Sequence, residues 1–78
     1  MFWEEISMML AVFRSRTETL NFASLLRSYG VSCSIVNTPR RINVSCGISV
    51  QFSRRDEGLA KQVLSRRRFD TFAGIVPI

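Results

Sequence analysis

Six apolar residues in a row, Met8-Met9-Leu10-Ala11-Val12-Phe13, are followed almost at once by Ser15-Arg16-Thr17-Glu18. A short, unbroken apolar run fits a strand buried on both faces. Ser-x-x-Glu is the capping box that opens a helix. A buried strand must therefore hand over to a helix within two residues, which commits the start of the chain to a βα unit. Beyond it, Leu20, Ala23, Leu26 and Tyr29 hold an i, i+3 spacing and Gly30 supplies a stop. The spacing predicts a helix over 16–29.

The rest of the chain repeats the theme in a different order. Val31, Cys33 and Ile35 alternate with Ser32 and Ser34, the pattern of a half-buried strand. Pro39 cannot donate to a ladder and pushes Thr38 toward extended geometry, so this strand ends near Asn37. Ile48, Val50 and Phe52 alternate with Ser49 and Gln51 as a third strand. Ser53-Arg54-Arg55-Asp56 resembles a second helix start, with Asp in place of Glu. Leu59, Ala60, Val63 and Leu64 form its apolar stripe, which ends before Arg66-Arg67-Arg68, basic residues suited to the negative end of a helix dipole. Phe72-Ala73-Gly74-Ile75-Val76 reads as the closing strand. The order βαββαβ is the ferredoxin-like plan, an α+β sandwich with a four-stranded antiparallel sheet and two helices on one face. Its first and third strands are central, and Pro77 then falls on an edge strand, where proline is tolerated.

The chain of 78 residues holds one domain, 1–78, with a core over about 8–77 and an N-terminal extension over 1–7. One tension remains in the plan. The first strand is apolar on both sides while its neighbours present Ser32, Ser34, Ser49 and Gln51 on one of theirs. The centre of the sheet's open face therefore needs a cover: Phe2 and Trp3, the carboxyl terminus, or a second subunit in a homodimer.

Charge and cysteine usage narrow the function. Eleven Lys and Arg against six Asp and Glu give a net charge of +5, and arginine outnumbers lysine ten to one. That balance suits phosphate or carboxylate partners, although a solvated basic surface explains it equally well. There is no histidine, so the usual acid/base side chain of neutral pH is missing. The opening Met1-Phe2-Trp3-Glu4-Glu5 is acidic where a secretory signal is basic, and the apolar run over 6–13 falls well short of the roughly 20 residues that span a bilayer. These features place the chain in the cytoplasm, away from membranes, with both thiols reduced. Two sulfurs 13 residues apart, without His or a nearby carboxylate, fall short of a four-ligand zinc site. No metal or cofactor is expected.

The chemistry concentrates in Thr38-Pro39-Arg40-Arg41-Ile42-Asn43-Val44-Ser45-Cys46-Gly47. Arg40, Arg41, Arg54 and Arg55 lie between Asn37 and Arg55 without a single carboxylate before Asp56. A cysteine in an electropositive, partly exposed loop is a ready thiolate nucleophile. Cys46 meets that description, and Gly47 beside it allows positive φ or close backbone approach. The plainer reading makes Cys46 a loop cysteine tucked under the sheet edge. Cys33, in phase with Val31 and Ile35, reads as a small core hydrophobe.

Phe13-Arg14-Ser15 before the first helix, Gly30-Val31 after it, and Thr38-Pro39-Arg40 a few residues before Ser45-Cys46-Gly47 together resemble the small selenium/sulfur carrier-like domains of bacteria. The likeness spans about 9–76. Asn43 departs from the pattern, which has Ser or a similar small residue there. The resemblance implies a ferredoxin-like fold and a carrier cysteine at Cys46, in an accessory protein rather than a stand-alone enzyme. On this reading Cys46 accepts sulfur or selenium as a persulfide or selenosulfide from a donor protein and passes it to an acceptor. Arg40, Arg41 and loop amides near Gly47 would support the anion, with Thr38, Pro39 and Ser45 shaping the loop. Two rivals stand beside it. An RNA-recognition module would stack bases on aromatics of the central strands, but Ile48 and Val50 occupy those places. A regulatory module that binds a small molecule or protein through its sheet has no ligand-specific signature here.

Overall fold

The computed structural model describes residues 7–78. Strand β1 (Met8–Phe13) leads into helix α1 (Arg16–Ser28), followed by β2 (Cys33–Asn37), β3 (Ile48–Ser53), a single 3-10 turn (Arg54–Asp56), α2 (Glu57–Arg66) and β4 (Phe72–Pro77). The four strands form one sheet in the order β2-β3-β1-β4, and every neighbouring pair is antiparallel. This is the ferredoxin-like arrangement, with β1 and β3 central and Pro77 on an edge strand. Among the described residues, no helix is long and apolar enough to cross a membrane.

Register decides which side chains meet. Ala11 pairs with Val50 and Ile75, and Met9 with Phe52 and Pro77, so the odd-numbered residues of β1 share a face with Val50 and Phe52. That face carries the core, where Met9, Ala11 and Phe13 pack with Phe22, Ala23 and Leu26 of α1 and with Ala60 and Val63 of α2. Both helices therefore cover one side of the sheet. Phe13 is the hub of an aromatic cluster, its ring centroid 5.3 Å from Phe22 and 5.4 Å from both Phe69 and Phe72. Phe13 and Phe22 are fully buried, which stabilises the fold by about 1.5–3 kcal/mol apiece, while Phe69 and Phe72 are only partly covered.

The buried stripe of α1 differs from the predicted one. Thr19, Phe22, Ala23 and Leu26 face the core, whereas Leu20 is 46% and Tyr29 is 49% exposed. The i, i+3, i+4, i+7 spacing of the buried set follows the 3.6-residue turn, while a strict i, i+3 row drifts around the helix. Val31 also changes role. Its amide donates to the Leu26 carbonyl at 3.0 Å while Gly30, at φ +85°, donates to Arg27 at 2.9 Å. That pair of bonds is a Schellman motif with Val31 as its buried apolar residue, so β2 begins only at Cys33.

The opposite face of the sheet holds Leu10 and Val12, each 1% exposed, beside fully buried Ser49. The central apolar side chains that needed a cover are shielded within a single chain. Phe2 and Trp3, named above as one such cover, lie outside the described residues.

Candidate functional site

The loop between β2 and β3 is closed by its own backbone. Thr38 N–H donates to Gly47 O at 2.9 Å, and the Thr38 and Ser49 hydroxyls are 2.5 Å apart. Within this ring, Ile42 N–H donates to Pro39 O at 2.9 Å, making Arg40 and Arg41 the two central residues of a turn. Both arginines are exposed. A closed surface loop whose ends meet is a common way to hold functional groups on a rigid frame.

The returning half of the loop is fastened to the end of β1. Cys46 N–H donates to Phe13 O at 3.1 Å, and Gly47 N–H donates to Ser45 Oγ at 2.9 Å. Gly47 adopts φ +105°, a conformation that side-chain-bearing residues rarely take. The chain thus swings Cys46 toward the first turn of α1. Its sulfur lies 3.5 Å from Thr19 Oγ1 and 3.6 Å from Ile48 O, and the residue is half-buried. The amides of Cys46 and Gly47 are both engaged elsewhere, so they do not form the anion nest expected near Gly47.

Thr19 is the partner that sequence reasoning missed. It is fully buried, and its hydroxyl donates to Ser15 O at 2.9 Å, the same carbonyl that accepts the Thr19 amide at 3.0 Å. A hydroxyl has one proton and two acceptor lone pairs. While that proton rests on Ser15 O, the oxygen can accept from the Cys46 S–H. Once the sulfur is a thiolate, the hydroxyl can turn and donate to it, because the Thr19 amide keeps Ser15 O satisfied. The Ile48 carbonyl can only accept, so it serves the protonated sulfur. The spacing of Phe22, Ala23 and Leu26 was the available signal, since it puts a polar residue at 19 on the buried face.

A second set of bonds fixes the start of α1 at this site. Ser15 Oγ accepts the Glu18 amide at 3.2 Å, as a capping box requires. The reciprocal half is replaced: Glu18 does not return to the Ser15 amide, which donates to Thr71 Oγ1 at 3.2 Å. The Glu18 carboxylate instead accepts the Thr71 hydroxyl, the Thr71 amide at 2.8 Å and the Asp70 amide at 3.0 Å. The Thr71 hydroxyl first, and its amide second, hold the Glu18 carboxyl below its ordinary value; partial desolvation opposes them and the Asp70 amide assists. This latch ties the segment before β4 to the helix that carries Thr19.

The two thiols are free and far apart in the fold. Cys33 pairs with Phe52 and Ile48 starts the same strand four residues earlier, so roughly 13 Å of strand separates their levels. Cys33 packs against the core, donates to Ala23 O at 3.6 Å, and burial pushes its thiol up despite a smaller opposing pull from Arg27. Among the described residues, no group of three or more Cys, Asp or Glu side chains could hold a metal ion. The loop therefore brings Thr38, Pro39, Ser45, Cys46 and Gly47 into one bonded unit, while the bonds to the sulfur come from Thr19 and Ile48 rather than from Arg40 or Arg41.

A profile of the family described as Putative Se/S carrier protein-like matches residues 8–75. Comparison with curated proteins and with solved structures finds no match.

Proposed function

The chain belongs to that Se/S carrier protein-like family, and we propose that Cys46 is the atom-carrying thiol of a sulfur or selenium carrier. The observation that carries this reading is the half-buried Cys46 sulfur, set by a closed loop beside the buried Thr19 hydroxyl. A thiolate attacks sulfur directly and needs no histidine.

The transfer balances without an outside oxidant or reductant. The Cys46 thiolate attacks the terminal sulfur of a donor persulfide; a new S–S bond forms at Cys46 Sγ. The donor S–S bond breaks, and the donor thiolate leaves with the electron pair. An acceptor nucleophile then attacks the outer sulfur and Cys46 departs as a thiolate. A donor carrying selenium follows the same course through a selenosulfide. Such exchange is governed by thiolate fraction, leaving group and access. Thr19 supplies a hydrogen bond to the thiolate at the start and end of the cycle, and Arg40 and Arg41 add positive charge to the loop. The chemistry calls for a reducing compartment, in which a resting thiol is maintained.

Incubation with an alkyl persulfide followed by intact-mass and peptide mapping tests the assignment. Wild-type protein and the Cys33→Ser variant should each gain one sulfur atom on the peptide containing Cys46, and Cys46→Ser should gain none. Sulfur found on Cys33, or persisting in Cys46→Ser, would refute it.

A further inference from the structure

The antiparallel plan gathers the arginines at the end of the molecule that holds Cys46. The end of β1, the start of α1, the β2–β3 loop, the end of α2 and the start of β4 all meet there, as the bonds of Phe13 O to Cys46 and of Arg14 and Ser15 to Thr71 require. Arg14 and Arg16 flank the start of α1, and Arg40 and Arg41 form the loop turn. Arg66, Arg67 and Arg68 close α2. All seven are exposed. Only two described carboxylates share this end. Glu18 is engaged by Thr71 and Asp70, and Asp70 pairs with Arg68 at 3.3 Å. The rest of the described chain has four cations, Arg27, Arg54, Arg55 and Lys61, against Asp56 and Glu57.

We infer that this arginine-rich end is the docking surface for a partner protein that presents an acidic patch. The inference rests on the carrier reading, for which it names the kind of surface that delivers or receives the sulfur atom. Exposed apolar side chains lie among the arginines: Val44 at 43%, Leu20 at 46% and Phe72 at 37%. Arginine and aromatic side chains are enriched in protein interfaces, and charge complementarity speeds encounter. Nucleic acid is the competing occupant of a basic surface. The central strands argue against it, though not through Ile48 and Val50, which lie on the helix-covered face with Ala11. On the face away from the helices, β1 and β3 present Met8, Leu10, Val12, Ser49, Gln51 and Ser53, with no aromatic on which a base could stack.

Titration of the isotope-labelled full chain with an octaglutamate peptide, and separately with an oligouridylate of equal charge, decides the matter by amide shifts. The peptide should move amides over 14–20, 40–47 and 66–72, and binding should weaken as salt rises. Replacing Arg66, Arg67 and Arg68 together with Gln should lower peptide affinity roughly tenfold at low salt, the sum of three modest surface contacts. The double variant Arg54→Gln, Arg55→Gln should bind as wild type, and retained spectral dispersion will show that each variant is folded. Shifts that follow Arg54 and Arg55, or spread evenly, would overturn the surface. Tighter binding of the oligouridylate to the same residues would overturn the protein partner in favour of nucleic acid. Cys46→Ser should keep the peptide map unchanged, so failure of sulfur loading and failure of docking are read separately.

Discussion

A single hydroxyl proton decides what the Cys46 sulfur meets. Thr19 can accept from the thiol or donate to the thiolate, and either state leaves Ser15 O paired with the Thr19 amide. A charge-assisted bond of this type is worth roughly 1.5–3 kcal/mol when fully formed between good partners, and less to a soft sulfur acceptor. Thr19→Val keeps the shape and removes the proton, so alkylation of Cys46 by iodoacetamide at neutral pH should slow by roughly threefold, the loss of thiolate being partly offset by its greater nucleophilicity, with Thr19→Ser restoring most of the rate. Replacing Arg40 and Arg41 together with Gln should slow it less, and added salt should erase that smaller effect, because both guanidinium groups are exposed. Equal rates in Thr19→Val and wild type would leave Thr19 a packing residue. In every variant Cys33 should react after Cys46, since its burial disfavours the thiolate. The loop that holds Cys46 was legible in the sequence because proline, arginine and glycine announce it. Thr19 was not, because its link to Cys46 crosses 27 positions and depends on which face α1 buries.

At the level of elements, α1 is anchored at its first turn by a contact that also fixes the approach to β4. Glu18 receives the Thr71 hydroxyl and two amides from the 70–71 segment, bonds that favour its ionised form. A carboxyl lowered in the folded state adds stability that is fully present above its unfolded value and is lost as pH falls through the folded value. Thermal melts taken from about pH 7 to about pH 3 should therefore show a decline that is shallower in Glu18→Gln, which should also melt lower than wild type at neutral pH. Identical pH profiles would mean the latch contributes nothing. The strand and helix order was readable because each element carries its own period and its own stop. The Glu18–Thr71 latch was not: Ser-x-x-Glu announced a local capping box, and only the folded chain brings Thr71 close enough to replace its second half. The same limit applies at Val31, where alternation pointed to a strand and the Schellman turn after Gly30 took the residue for the core.

For the whole molecule, two distributions bear on how it meets other proteins. Apolar surface is concentrated inside: Leu10 and Val12, the side chains that would have driven an isologous pair across the open sheet face, are each 1% exposed in one chain. Charge is concentrated at one end, where seven exposed arginines lie in and around the Cys46 loop. Two copies meeting there would repel one another, while an acidic partner would be drawn in. A shared sheet face would thus add little burial to side chains already shielded, and a shared arginine end would cost free energy. Analytical ultracentrifugation at micromolar concentration under reducing conditions should accordingly return a monomer at both low and moderate salt. A dimer that persists under those conditions would mean that the β2 side of the open face, through Ser34, Val36 and Gln51, pairs on its own account. A dimer appearing only as salt is raised would mean that arginine repulsion was holding apart a surface otherwise able to self-associate.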